Sequence, residues 1–256
     1  MPLLRISGLE RSFYGVCALD GVDLTIEAGT ITGLIGPNGA GKTTLFNCIS
    51  GLIPPDRGRV VFDGQDITGL SPDRVTRRGL ARTFQIARGF PRLSVLENLL
   101  VYGDRQPGER LWPVVLGRAD VPHREAELIE RARAVARRLD LTRVLDDPAA
   151  ELSGGQKKLL EIGRVLMTAP RLVLLDEPIA GVNPTLGREI GEHLRRLCAD
   201  GITFLIIEHH LDVIARLCDP VIVMAEGRHL AQGSFAELAA DPRVQEAYMG
   251  RRRWAS

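Results

Sequence analysis

The chain has 256 residues, of which 45% are hydrophobic and 25% charged, with a formal net charge of +1 at pH 7. That length suits one large domain or a core with a smaller lobe, the composition is ordinary for a soluble globular protein, and the near-neutral balance excludes a chain-wide basic field of the kind that gathers nucleic acid or an acidic membrane surface. The longest apolar runs, such as Leu172–Leu175 and Phe204–Ile207, are strand-sized, and Met1–Glu10 lacks the basic and apolar segments of a signal peptide, so any work at a membrane requires another chain to cross it.

From the N-terminus, Leu3–Ile6, Val22–Ile26 and Arg59–Phe62 read as short strands, the last followed by an Asp63-Gly64 turn. Thr30–Ile35 is a buried-strand candidate running straight into a glycine-rich loop, and a helix over Lys42–Ser50 is expected next, ending near Gly51. Ser71-Pro72 reads as an N-cap with proline at the first helical position, and Gly79 closes that short helix. Ser94 and Glu97 have capping-box spacing, and His123–Leu141 carries Leu128, Ile129, Ala132, Val135, Ala136 and Leu139 at helical spacing. Gly103–Val121, between them, reads as a loop or a broken helix. Residues from about Val95 to Ala150 are therefore expected to form a helical subdomain inserted in an α/β core.

Beyond it come helix Gly155–Met167, strand Leu172–Leu175, helix Pro184–Cys198, strand Ile202–Ile207, helix Leu211–Cys218 and strand Val221–Met224. Strands separated by helices imply a mainly parallel sheet covered on both faces, with the early antiparallel strands as an edge lobe. The four cysteines, Cys17, Cys48, Cys198 and Cys218, show no paired metal-ligand spacing and are expected to be core-filling thiols of a reducing cytosol. The Arg251–Arg253 tail reads as a solvated terminus.

Gly36-Pro37-Asn38-Gly39-Ala40-Gly41-Lys42-Thr43 fits the phosphate-loop pattern G-x-x-x-x-G-K-[ST], with an apolar strand before it and a helix after it. The glycines let consecutive N–H groups turn inward as an anion nest, and the helix adds its positive end. Lys42 is placed for the β- and γ-phosphates and Thr43 for a Mg²⁺ ion, with Thr44 beside it in the same binding set. The pattern implies nucleotide binding.

Leu172–Leu175 ends in Asp176 and Glu177. Open α/β sheets place ligands at the carboxyl ends of strands, which brings this pair beside the phosphate loop. Asp176 then holds Mg²⁺, directly or through water, and Glu177 orients and deprotonates the attacking water. Helix capping is the structural alternative for such residues.

Leu152-Ser153-Gly154-Gly155-Gln156 matches the signature motif of ABC transporter ATPases, and the chain resembles that family from about Leu3 to Gly250. The resemblance implies a single ABC ATPase domain over residues 3–250, with 251–256 as a tail. It also implies ATP and Mg²⁺ as cofactors, and a dimer of cassettes in which Ser153, Gly154, Gly155 and Gln156 serve the ATP held by the partner. Under the same resemblance Gln85 is the glutamine that contacts Mg²⁺ and the attacking water, and His209 the switch histidine at the γ-phosphate. Phe13 is the aromatic that stacks on adenine, preferred over the adjacent Tyr14 from its spacing to the strand at Val22. Ala180-Gly181-Val182-Asn183-Pro184 departs from the family's usual Ser-Ala-Leu-Asp: Asn183 keeps size and hydrogen bonding and loses charge.

Ala81–Gln85, Leu159–Arg164, Ala180–Pro184, Ile207–His210 and the ending from Asp241 to Gly250 resemble ATPases of branched-chain amino-acid importers. That branch implies transmembrane permease subunits, a second and different cassette (or a second copy), and a solute-binding protein reached indirectly. It places the chain at the cytoplasmic face of the cell membrane, without nucleic acid. Arg88, Phe90 and Pro91 are candidate permease contacts, the alternative for Phe90 being a local core contact. Two other classes fit the sequence less well. A soluble ABC ATPase acting on translation or DNA calls for paired cassettes or coiled coils, and a P-loop kinase has no use for Ser153–Gln156.

Overall fold

A computed structural model describes residues 2–83, 90–103 and 121–249. These fold into two compact units. The sheet unit comprises the described parts of Met1–Arg82, Arg171–Ala180 and Leu194–Ser256; the helical unit comprises those of Thr83–Pro170 and Gly181–His193.

The sheet unit holds two sheets. The larger has six strands in the order β10-β9-β3-β8-β7-β6. Its members are β3 (Ile31–Ile35), β6 (Leu80–Arg82), β7 (Leu172–Asp176), β8 (Thr203–Ile207), β9 (Val221–Ala225) and β10 (Arg228–Gly233). All its neighbours pair in parallel except β10, which runs antiparallel to β9. Every residue of β3, β7 and β8 is buried, which is why these strands read as unbroken apolar runs: both faces of a parallel sheet are covered. The smaller sheet, β2-β1-β4-β5, is antiparallel. It consists of β1 (Leu4–Phe13), β2 (Val16–Ile26), β4 (Arg57–Phe62) and β5 (Gln65–Asp66). Helix α1 (Lys42–Ile49) follows β3 and buries Leu45, Phe46 and Ile49. Phe46, Phe62 and Phe204 lose essentially all solvent exposure, each a gain of about 1.5–3 kcal/mol. The short helix α2 is Pro72–Arg77.

The helical unit contains α3 (Val95–Val101), α4 (Val121–Arg138), a 3₁₀ turn at Thr142–Val144, α5 (Gly154–Leu166) and residues 184–193 of α6 (Pro184–Ala199). Of the expected α4 stripe, Ala132, Val135, Ala136 and Leu139 are buried, while Leu128 and Ile129 are only half-buried. Gly163 of α5 lets the helix backbone close on its neighbours, since a Cβ there would lie 2.9 Å from Leu99 Cδ2 and 3.1 Å from Leu139 Cδ1. Ser94 and Glu97 form the expected capping box. Asn98, fully buried, accepts from the Phe90 N–H at 3.1 Å and from Arg164 Nη2 at 2.7 Å. Its amide faces the carbonyls of Phe90, Leu93 and Ser94 at 2.9–3.0 Å.

Several expectations need correction. β1 and β2 are about twice the length read from the sequence, because register shifts between Ile6 and Leu9, Leu9 and Arg11, and Arg11 and Ser12 break the alternation that marks a strand. The three-residue β6, β10 and two C-terminal helices, α8 (Phe235–Ala240) and α9 (Pro242–Met249), carried no distinct signal. Helix α7 (Leu211–Leu217) is where it was expected. Of the four cysteines, Cys48 and Cys218 are buried, but Cys17 is exposed and Cys198 only partly covered. Cys17 belongs to β2 beside the hairpin tip rather than to the core. Of the loop or broken helix expected at Gly103–Val121, residues 104–120 lie outside the described residues and Val121 already belongs to α4; Phe84, Gln85, Arg88 and the tail also lie outside them.

Candidate nucleotide site

Parallel pairing of β3, β8 and β7 sets their carboxyl ends side by side, with β8 between the other two. The three segments that leave those ends are the phosphate loop, Glu208-His209 and Asp176-Glu177.

The loop is shaped by backbone approach. Gly36 has φ +150° and a Cβ there would lie 2.1 Å from the Met224 carbonyl oxygen; Gly41 has φ +96° and its Cβ would lie 2.5 Å from that of Ala18. Only glycine fits both the conformation and the space. The Gly227 N–H donates to the Ala40 carbonyl at 3.2 Å, tying the loop to the β9–β10 turn. Lys42 is buried, and its ammonium donates to the carbonyls of Gly36 at 2.7 Å and Pro37 at 3.0 Å. Thr43 is exposed at the start of α1, and Asn38 and Gly39 are exposed at the loop's crest. Burial raises the phenol pKa of Tyr248 on α9, and the neighbouring Gly36 backbone lowers it.

Asp176 is buried at the end of β7, 3.2 Å from Arg82 Nη2. Burial raises its carboxyl pKa and the guanidinium pulls it back down. Glu177 sits in the left-handed region at φ +50°, where a non-glycine residue costs about 1–3 kcal/mol and is held only by its surroundings. Its N–H donates to the Ile207 carbonyl at 2.9 Å, and its own carbonyl accepts from the Ala180 N–H at 3.1 Å. The turn aims the carboxylate at the end of β8: Glu177 Oε1 and His209 Nε2 are 3.1 Å apart. A carboxylate and an imidazole in contact, both partly open to solvent, can orient a water and take up its proton.

Two further positions organise this region without having been assigned a role by the sequence. Glu208, buried, accepts from the Ile179 N–H at 3.0 Å and the His209 N–H at 3.2 Å, which fastens the segment after Glu177 to the segment bearing His209. Arg82 ends β6 and reaches Asp176 across the sheet edge. The available signal was an arginine and a carboxylate ending two strands, and pairing them requires knowing that β6 and β7 are neighbours.

At the β1–β2 tip, the Arg11 guanidinium lies over the Phe13 ring at 4.8 Å, whereas Tyr14 is fully exposed with φ +50°. In the helical unit, Ser153 caps α5 in a reciprocal box with Gln156: Ser153 Oγ accepts from the Gln156 N–H at 3.3 Å, and Gln156 Oε1 accepts from the Ser153 N–H at 2.9 Å. Capping therefore explains both side chains locally. The two glycines differ: a Cβ on Gly155 would strike Leu186 at 2.2 Å, while Gly154 faces open space. An N-terminal helix end with that opening is able to receive an anion. Asn183 Oδ1 accepts from the Leu186 N–H at 2.9 Å, so it starts α6 without needing a charge.

The ABC transporter family matches residues 19–180. Over 254 residues the chain is 43% identical to the probable branched-chain amino acid transport ATP-binding protein LivG of Methanocaldococcus jannaschii, covering 98% of each. This chain belongs to the ATP-binding subunits of ABC transporters. Within them it falls in the branched-chain amino-acid ATPase family. The Branched-chain amino acid ATP-binding cassette transporter family matches residues 228–253. The cassette is also 36% identical, over 250 residues, to the high-affinity branched-chain amino acid transport ATP-binding protein BraF of Pseudomonas aeruginosa, covering 97% of this chain and 98% of that one. Among solved structures it is similar to the ADP conformation of MJ1267, an ATP-binding cassette of an ABC transporter. The TM-score is 0.86 at 42% identity, over 98% of this chain and 99% of that one.

The expected fold of this ABC ATPase is thus observed: a P-loop cassette with a mainly parallel core sheet, an antiparallel β sheet and a helical subdomain. ATP is its nucleotide and ATP hydrolysis its reaction. Gln85, expected in the site, lies outside the described residues.

Proposed function

We propose that the cassette is the motor of an importer for branched-chain or related amino acids, working at the cytoplasmic face of the cell membrane. In this reading residues 3–250 act as one ATPase domain that pairs with a second cassette, a heterodimer being favoured. The pair drives transmembrane permease subunits, fed indirectly by a solute-binding protein. No described helix is long and apolar enough to cross a membrane, in keeping with a separate permease. The transport roles named for the two relatives and the match at residues 228–253 support the cargo class.

The observation that carries the hydrolytic mechanism is the 3.1 Å contact between Glu177 and His209 at adjoining strand ends. Glu177 accepts the proton of the attacking water. His209, through Nε2, orients Glu177 and meets the γ-phosphate. The loop amides from Gly36 to Gly41 cradle the phosphates, and Lys42, held by the Gly36 and Pro37 carbonyls, serves the β- and γ-oxygens. Thr43 and Asp176 are proposed to hold Mg²⁺, with Gln85. Among the described residues no three His, Cys, Asp or Glu side chains gather into a metal cage, and a hydroxyl with one carboxylate suits an ion that takes its other ligands from phosphates and water. When bound, that ion neutralises charge on the phosphate oxygens. Ser153–Gln156 serve the partner's ATP. For adenine, Tyr14 offers an open ring where Phe13 has a guanidinium on one face.

Affinity purification of the tagged full chain from native membranes tests the transport reading. Co-purification of a permease and a second cassette, with amino-acid uptake after reconstitution, is expected; recovery with ribosomes or DNA and no membrane protein refutes it. Glu177→Gln tests the mechanism: turnover falls about 10²–10⁴-fold and an ATP-bound dimer accumulates on size exclusion. Unchanged turnover would remove Glu177 as the base.

A further inference from the structure

Arg82 stands where three elements of the sheet unit meet. From the end of β6 its Nη2 donates to Asp176 Oδ2 at 3.2 Å on β7. Its Nη1 donates to Asn47 Oδ1 at 2.6 Å and reaches Ser50 Oγ at 3.4 Å, both in or just after α1. The guanidinium also lies over the Phe46 ring at 5.4 Å. The pair is dry, with the side chains of Arg82 and Asp176 only 9% and 5% exposed. Burying two charges costs several kcal/mol per ion before their attraction is counted, so core filling alone is a poor reason for an ion pair here. The planar fork holds a carboxylate on one side and an amide oxygen on the other in a fixed geometry, whereas a lysine offers a compact charge with freely rotating donors.

We propose that Arg82 is a positioning residue for the cation site: it locks α1, which carries Thr43, to the end of β7, which carries Asp176. The two oxygen donors are thereby held at one separation before the ion arrives. This rests on the reading of Thr43 and Asp176 as ion ligands given above. Asn47 lies one turn beyond Thr43 on α1, so a clamp on Asn47 restrains the helix that bears the hydroxyl. Arg82 does not touch the ion in this scheme. It acts through its grip on both supports, as groups behind a metal ligand commonly do.

The test uses Mn²⁺ as the probe, with free Mn²⁺ followed by electron paramagnetic resonance in saturating ADP, beside binding of a fluorescent ATP analogue in EDTA. Arg82→Lys and Arg82→Met are expected to weaken Mn²⁺ binding about 10–100-fold, and Asn47→Ala by severalfold, while metal-free analogue binding stays within about twofold of wild type. Asn47→Ala leaves the ion pair in place and carries the test if an Arg82 variant fails to fold. Wild-type Mn²⁺ affinity in folded Arg82→Lys and Asn47→Ala would overturn the proposal. So would a parallel loss of metal-free binding, which marks a merely structural role. Asp176→Asn and Thr43→Ala separate the two levels: if neither lowers Mn²⁺ affinity the donor reading fails, and if both do while the Arg82 and Asn47 variants do not, only the clamp fails.

Discussion

Replacing Asn98 by leucine, which has similar volume and no polar atoms, gives a direct measure of what the polar centre of the helical unit contributes. The side chain is fully buried and its Oδ1 serves both the Phe90 N–H and the guanidinium of Arg164. Losing a neutral partner costs the Phe90 N–H about 1 kcal/mol. Arg164 is itself only 4% exposed, and a lost hydrogen bond to a charged group costs about 1.5–3 kcal/mol, part of which its position over the Tyr102 ring at 5.6 Å offsets. The sum is a loss of about 2–4 kcal/mol, or on the order of 10 °C in midpoint for a chain of this size. Asn98→Asp isolates the other half of the amide. It keeps the acceptor and adds a counter-charge for Arg164, but turns a second oxygen toward the carbonyls of Phe90, Leu93 and Ser94 with no hydrogen to donate. The expected loss is about 1–3 kcal/mol. Urea unfolding followed by far-UV circular dichroism, with hydrogen exchange of the α3 amides, reads both variants. A leucine variant within about 0.5 kcal/mol of wild type, or an aspartate variant less stable than the leucine one, would refute the reasoning.

Two further predictions concern the surface. Tyr14→Ala is expected to weaken ATP binding about tenfold, the scale of one lost base–aromatic stack. Phe13→Ala should change it less than about threefold while lowering stability slightly by releasing Arg11; the opposite order in a titration with fluorescent ATP would return adenine to Phe13. For the thiols, burial pushes Cys48 up to about 11 and Cys218 up to about 12. Only the thiolate reacts, so at pH 8 both are almost wholly in the inert form, and raising the pH toward those values increases their reactivity. Cys17 alone is expected to label fast with a maleimide at that pH, and all four in urea. Fast labelling of Cys48 in the folded chain would contradict its burial.

How far the molecule could be read in advance depended on whether the relevant physics was local. β3, β7 and β8 were legible because full burial writes itself as an uninterrupted apolar run, and α4 because one face repeats every turn. The glycine loop and Asp176-Glu177 were legible because each packs its chemistry into consecutive residues. β1 and β2 were cut short because bulges reset the alternation that reveals a strand, and β6 was missed because a three-residue edge strand is too short to show any period. Arg82 and Glu208 are silent in the sequence for a different reason. Each is an ordinary charged residue at a strand end, and its partner lies on another strand or the turn after it. Only the strand order pairs them.

That distinction bears on how the site is prepared. Glu177 is held in a backbone region that costs about 1–3 kcal/mol, and the groups that hold it come from β8: the Ile207 carbonyl binds its N–H, and buried Glu208 binds the Ile179 N–H two residues on. Asp176 is fixed from the opposite side by Arg82 of β6. The carboxylates that the proposed mechanism assigns to water and to the ion are thus oriented by different neighbours of the same strand. Lys42 is held from within its own loop instead: its ammonium donates to the Gly36 and Pro37 carbonyls, and on the proposed reading it meets the phosphate oxygens from that position.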